Sequence, residues 1–324
     1  MLLIVTRIFM LYFASGGKII MLKKLIDDYL NYCKEQKKLS AKSTKAYAID
    51  LEQFRQQVLI KSIPVKTEIS AYIAYLHKTY TPRTVKRKIA SVRAFLNYLE
   101  FEEIIFDNPM KKIKTKFQEP QVLPRTISLS IIENILAVVY QEMKQAQTVY
   151  ALNSALRNVV IIELLFATGI RVSELCSLNI EDIDLSNGNI RIMGKGKKER
   201  ILHIGNQEVI NIFQRYVEEN IAYINKAGCV LINRLSSRIS EQSVRFLIKR
   251  LCAKINISQK ITPHMFRHSF ATLLLEEDVD IRYIQHMLGH SSILTTQIYT
   301  KVAVEKQRQI LTIKHPRNKI SVKM

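Results

Sequence analysis

The chain has 324 residues, 48% of them hydrophobic and 24% charged, a balance that excludes a disordered chain and allows one large domain or two ordinary ones. Its 49 Lys and Arg against 28 Asp and Glu give a formal net charge of +21, which points to a polyanionic partner, either nucleic acid or an anionic membrane surface. Cys33, Cys176, Cys229 and Cys252 lie far apart with no C-x-x-C pair, which excludes a disulfide framework or a zinc knuckle and predicts reduced, buried thiols in a cytoplasmic protein.

Residues 1–20 stand apart. Met1 to Phe13 is apolar except for Thr6 and Arg7, but the run is too short to span a bilayer and its charge lies inside the run, not before it. The segment is set aside as an extension of uncertain status. From Met21 the pattern is helical. Leu22 to Lys37 carries apolar residues at helical spacing, and in Ser40 to Leu59 the residues Tyr47, Leu51, Phe54 and Val58 mark one buried face. Thr67 can cap a third helix bearing Ile69, Tyr72, Ile73 and Leu76. Thr81-Pro82 opens a fourth, which runs to about Glu100 and buries Val85, Ile89, Val92, Phe95 and Leu99. Its other positions include Arg83, Lys86, Arg87, Lys88 and Arg93, either a solvated basic face or one that tracks phosphates. Asn108-Pro109 ends this helical domain, residues 21–108. Residues 109–124, with clustered lysines and prolines at 120 and 124, read as a linker.

A larger domain, 125–324, follows. Ile127 to Met143 and Leu156 to Phe166 read as helices, Thr168-Gly169 breaks the pattern, and Arg171 to Leu178 resumes it. Ser186-Asn187-Gly188 is a hairpin signal, Ile190 and Ile192 alternate around Arg191, and Gly194-Lys195-Gly196-Lys197 marks a second turn before a strand over Arg200 to Ile204. Helical patterns return from Glu208. The expected fold is therefore mainly α with a small antiparallel β-sheet.

The densest chemistry lies in the last quarter. Thr262 and Pro263 start a helix in which i, i+3 spacing puts His264 and Arg267 on one face, near an N-terminus whose free N–H groups suit an anion. Asp280 can cap the next helix, which closes at Leu288-Gly289 and presents His290. Ser291 or Ser292 can open another that carries Tyr299. His264 and His268, four apart, also allow a metal reading. The glutamate of H-E-x-x-H is missing, however, since Met265 stands there, and Arg267 would sit beside the cation. No metal is expected. Singly, each of these residues has a structural explanation, as a core histidine, a rim tyrosine or a solvated arginine.

Together they form an ordered set. Ala167-Thr168-Gly169-Ile170-Arg171-Val172-Ser173-Glu174-Leu175 resembles the first arginine box of the tyrosine recombinase (phage integrase) family, and Gly194-Lys195-Gly196-Lys197-Lys198-Glu199-Arg200 resembles its lysine-bearing hairpin. His264-x-x-Arg267, Leu288-Gly289-His290 and Thr295-Thr296-Gln297-Ile298-Tyr299 follow in the family's order, while residues 21–108 look like its SAM-like core-binding domain. The likeness runs from Met21 to about Val302 and is closest to the Xer type.

The resemblance implies that Arg171 and Arg267 clamp the scissile phosphate, that His290 donates to it, and that Tyr299 attacks phosphorus. It also implies a 3′-phosphotyrosyl link, with His264 as base and Lys195 as general acid, and neither cofactor nor metal. It assigns Arg83, Lys86, Arg87 and Lys88 to DNA binding. The implied partner is a double-stranded recombination site, held in a C-shaped clamp of two domains, with homo- or hetero-tetramers on paired sites, strand exchange through a Holliday junction, and no membrane. The event would be chromosome dimer resolution or mobile-element integration and excision. The C-terminal segment, with Ile310, Leu311 and Ile313, is available either to dock into a neighbouring subunit or to pack on its own. Phe266 replaces the family's usual leucine, Asp278 its usual glycine, and Gln141 to Ser154 is longer than in compact Xer proteins. The rival readings are a type IB topoisomerase and a catalytically idle DNA-binding protein on the same fold.

Overall fold

A computed structural model describes residues 22–58, 64–115, 117, 125–193, 199–277, 279–289 and 308–320. The N-terminal extension and Asp278 lie outside them. The chain forms two compact units that divide between residues 122 and 123.

The first unit is a four-helix bundle: α1 Leu22–Glu35, α2 Ala41–Val58, α3 Lys66–Thr79 and α4 Pro82–Phe101. Each helix turns its apolar stripe inward, and Tyr29, Leu51, Phe54, Ile69, Leu76, Phe95 and Leu99 make the core. The third helix starts one residue before the expected cap. Thr67 lies inside it, and the Glu68 carboxylate accepts from the backbone N–H of Val65 at 2.8 Å. One buried carboxylate ties α2 to α4. Asp50 is fully buried and accepts from Ser91 at 2.8 Å, from Lys88 Nζ at 3.2 Å and from Arg87. The unit's packing continues past Asn108, where a linker was expected. Residues Pro109–Lys112 form a short 3-10 turn, Met110 is buried, Ile113 and Phe117 pack on the bundle, and Lys111 pairs with Glu100 at 2.8 Å.

The second unit contains α5 Leu129–Lys144, α6 Val149–Thr168, α7 Val172–Ser177, a three-stranded sheet, α8 Gln207–Ala227, α9 Glu241–Lys254, α10 Pro263–Glu276 and α11 Ile281–Leu288. Its strands, β1 Ile183–Asp184, β2 Asn189–Met193 and β3 Glu199–His203, are antiparallel in the order β1-β2-β3, with Ile190 opposite Leu202 and Ile192 opposite Arg200. As the alternation predicted, Ile190 and Ile192 face the core and Arg191 faces out. The unit's central helix, α6, begins seven residues before the expected Leu156, where the Thr148 hydroxyl accepts from the Ala151 N–H at 3.1 Å. Val149 and Tyr150 in its first turn are exposed, so no apolar periodicity announced that turn. This helix is long and apolar enough to cross a membrane, but from Leu156 to Thr168 it is nearly all buried in the core of the unit. The four cysteines are free and buried.

The C-terminal residues pack on their own subunit. Ile310 and Leu311 join Phe270, Leu274, Ile284 and Leu288 in one apolar cluster, while Ile313 is exposed. Beyond them, Arg317 is fully buried and donates through Nε and Nη2 to both oxygens of Glu163 on α6, at 2.8–3.1 Å. Tyr140 donates to the same carboxylate at 2.8 Å. His315 lies within hydrogen-bond distance of the Phe166 carbonyl at 3.2 Å, and burial drives its imidazole pKa down to about 3. Removing one partner of a buried, hydrogen-bonded ion pair typically costs about 3–5 kcal/mol, because the other charge is stranded. Arg317→Ala is expected to destabilise the second unit by about that amount in chemical denaturation. Adding Glu163→Gln should recover part of the loss, and an unchanged loss in the double variant would contradict the stranded-charge account.

Candidate active site

The loop after α6 carries the first arginine. Gly169 ends the helix in the left-handed region (φ +61°), and a Cβ there would lie 2.7 Å from the Phe270 ring, so both conformation and space require glycine. Ile170, buried, pins the loop, and Arg171 leaves it in extended conformation as the residue before α7. Glu174, one turn into α7, accepts from the Arg171 backbone N–H at 3.0 Å and from its guanidinium at 2.8 Å. The other guanidinium nitrogen of Arg171 donates to the Gly289 carbonyl at 3.3 Å.

Arg267 approaches from the second turn of α10. Its side chain donates to the Gly169 carbonyl at 2.8 Å and to the Leu288 carbonyl, joining the ends of α6 and α11. It is buried, with no carboxylate partner among the described residues. Burial, then the charge of Arg171, with Arg200 adding and Glu174 opposing, brings its pKa down to about 9. It is still a cation at neutral pH, held beside other cations in a desolvated place. An arriving anion would relieve this strain.

His264 lies one turn before Arg267 and is exposed. Partial desolvation, followed by the neighbouring His268, Arg245 and Arg267, holds its imidazole below the ordinary histidine value, which favours the neutral, proton-accepting form. The structure thus brings Arg171 and Arg267 together where α6 and α11 end, while His264 stands exposed one turn before Arg267 on α10. Lys195, His290 and Tyr299 lie outside the described residues. The backbone on either side of the first is described, with Met193 paired to Glu199, and so is the residue before the second, Gly289, which closes α11.

Two further residues belong to this cluster and had no role in the sequence reading. Glu174 is one. Its spacing from Arg171 is the helix-start pattern of a carboxylate three residues after the cap, a signal legible in principle. Arg200 on β3 is the other, donating to both Glu174 oxygens at 2.9 and 2.7 Å, and nothing in its strand pattern distinguished it from a solvated arginine. Phe266, the expected departure, is fully buried in the core of the second unit. As for a metal, among the described residues no group of three or more His, Cys, Asp and Glu could hold one.

On the basic helix of the first unit, Arg83, Lys86 and Arg87 are exposed. Lys88 is a correction to the expected DNA-facing set. It is 2% exposed, bonds Asp50 and Gln53, and lies 4.9 Å from the Tyr80 ring centre, so its charge is spent inside the bundle.

Known proteins resemble this chain over both units. Residues 137–306 match the phage integrase family and residues 26–103 match the phage integrase N-terminal SAM-like domain. A tyrosine recombinase of Agathobacter rectalis is 50% identical over 90% of this chain and 96% of its own length. Tyrosine recombinase XerD of Listeria innocua is 34% identical over 90% of this chain and 99% of its own. Among solved structures, the XerH site-specific recombinase bound to its palindromic difH substrate superposes with a TM-score of 0.65 at 22% identity, covering 87% of this chain and 83% of that one. Lambda integrase bound to DNA gives 0.61 at 16%, covering 94% and 100%. With matches spanning both units and a relative half identical along its length, the chain belongs to the phage integrase family, as a Xer-like tyrosine recombinase that cleaves and rejoins DNA in site-specific recombination.

Proposed function

We propose that the recombination chemistry runs through Tyr299 at a phosphate bound by Arg171 and Arg267. The observation that carries this reading is the crowding of cations: two guanidinium groups, one of them buried with a depressed pKa, at a site holding only one carboxylate among the described residues. Planar guanidinium forks suit the non-bridging oxygens of a phosphodiester and stabilise the added charge of a pentacoordinate transition state. A free phenol has a pKa of about 10 and is a poor nucleophile at neutral pH, so Tyr299 needs a base, and His264 in its neutral form accepts the proton. Its oxygen then bonds to phosphorus, giving a 3′-phosphotyrosyl ester, and the bond to the 5′-oxygen breaks. Lys195 protonates that oxygen as it leaves, and His290 donates to the phosphate. Attack by a 5′-hydroxyl reverses the step and rejoins a strand. One ester replaces another, so the balance requires no nucleotide hydrolysis.

The partner is double-stranded DNA carrying a recombination site. The similar recombinase and integrase structures solved with bound DNA, and the +21 charge, support it. We infer an assembly of four subunits on two paired sites, with exchange through a Holliday junction, and a cytoplasmic location consistent with four buried thiols. Arg83, Lys86 and Arg87 are the phosphate-tracking residues of the first unit.

On a nicked suicide substrate in EDTA, the wild-type chain should become covalently trapped, while Tyr299→Phe binds without trapping. A metal requirement, or trapping of the phenylalanine variant, would refute the mechanism. The acid limb of the rate at subsaturating DNA reports free-enzyme groups, and with the folded-state pKa of His264 lowered its half-maximal point should lie below pH 6.5. A limb at or above that value would count against His264 as the base. Arg83→Gln should reduce the log–log salt slope of DNA affinity by about one. Lys88→Met should leave that slope unchanged and lower the stability of the helical unit, a split that separates its internal role from phosphate contact.

A further inference from the structure

Three elements meet at Arg200. It is the second residue of β3, directly after the hairpin, and its side chain is only 12% exposed. Its two terminal nitrogens face both oxygens of Glu174 at 2.9 and 2.7 Å, the bidentate geometry in which a guanidinium fixes a carboxylate in orientation as well as distance. Glu174 in turn takes the Arg171 guanidinium at 2.8 Å and the Arg171 backbone N–H at 3.0 Å. The other side of Arg200 lies against Gly289, where an added Cβ would sit 3.0–3.3 Å from Arg200 Cδ, Nε and Cζ. Arg200 Nε is buried and has no hydrogen-bond partner among the described residues. With its terminal nitrogens directed at Glu174 and Nε covered, this guanidinium is poorly placed to grip DNA and well placed to hold the group that does. Burial alone would raise the Glu174 carboxyl. Arg200, followed by Arg171, outweighs burial and holds it below the ordinary carboxylate value, so it stays an anion.

We propose that Arg200 is a positioning residue for strand cleavage, clamping Glu174 so that Arg171 is held in one orientation and backing Gly289 so that the end of α11 is held beside it. The inference rests on Arg171 being a phosphate ligand. Without the fork, Glu174 has Arg171 alone, and the carboxylate turns towards the guanidinium meant for the phosphate. Arg171 then meets DNA already neutralised and with its orientation free. Lysine supplies the charge at this position without the fork, and cannot restore the geometry.

The test is single-turnover covalent trapping by the full chain on a suicide substrate, alongside DNA affinity in a Tyr299→Phe background. Arg200→Ala should slow trapping on the order of 100-fold, the cost of a misplaced reacting group, with the Kd for DNA within about threefold of the parent. Arg200→Lys should stay close to the alanine rate. Glu174→Gln should slow trapping as well, and Arg200→Ala added to it should cost little more, since the arginine acts through the carboxylate. A merely structural role would lower the melting temperature and leave the rate of the folded fraction intact. The proposal is overturned if Arg200→Ala traps at the wild-type rate, if lysine rescues fully, or if the losses in the double variant multiply. Should the alanine variant fail to fold, Arg200→Lys alone decides, because wild-type trapping by it would refute the clamp. If the wild-type chain itself is not trapped, the cleavage reading fails separately. Calorimetric titration with inorganic phosphate then reads the clamp, with weaker binding by Arg200→Lys expected and equal binding overturning it.

Discussion

The second unit is organised around one shared anion. Glu174 is nearly buried, holds Arg200 with both oxygens and Arg171 with one, and accepts from the backbone at the start of α7. A buried charge survives only when paired and hydrogen-bonded, and here those requirements are met by the residues the site must hold still. Arg267 completes the frame from the other side by spending its hydrogen bonds on the carbonyls of Gly169 and Leu288. The ends of α6 and α11 converge here because carbonyls they leave free accept from Arg267 of α10 and from Arg171. Helix capping and the arrangement of the arginines are largely the same set of bonds.

This arrangement is expensive for the protein alone. Desolvation and mutual repulsion act on Arg267, and one carboxylate does not neutralise two neighbouring arginines and a third. On the proposed reading the residual positive charge is offset by a phosphodiester, which brings an anion with little hydrogen-bonding demand beyond guanidinium forks. A neutral ligand of the same shape would leave the repulsion in place. The same imbalance is written across the whole chain in its net charge of +21, so long-range attraction and local recognition have one sign.

Much of this was legible before any coordinates. The apolar stripes of α1 to α4, the alternation in β2, and the position of Arg171 and Arg267 around helix breaks all follow from periodicity and cap residues. What escaped has a common cause. The first turns of α6 are exposed, so hydrophobic spacing was silent there, and only the Thr148 cap marked the start. Lys88 resembled its exposed neighbours because a one-dimensional pattern does not register Asp50, thirty-eight positions away in sequence and adjacent in space. Arg200 escaped for the same reason, since its partner is in another element. Long-range pairing of charges decides these cases, and periodicity carries no information about it.

The anchor at Arg317 has a consequence for biosynthesis. Glu163 lies inside the central helix of the unit, and its cationic partner is 154 residues further along the chain. During translation the carboxylate must therefore stay hydrated, or carry a proton, until the arginine 154 residues later has been made. The central helix cannot settle into its dry surroundings before then. A product of premature termination would keep the arginine box yet lack the counter-charge needed to seat it. Competence to cut a strand therefore waits on the synthesis of Arg317, long after the arginine box itself has been made.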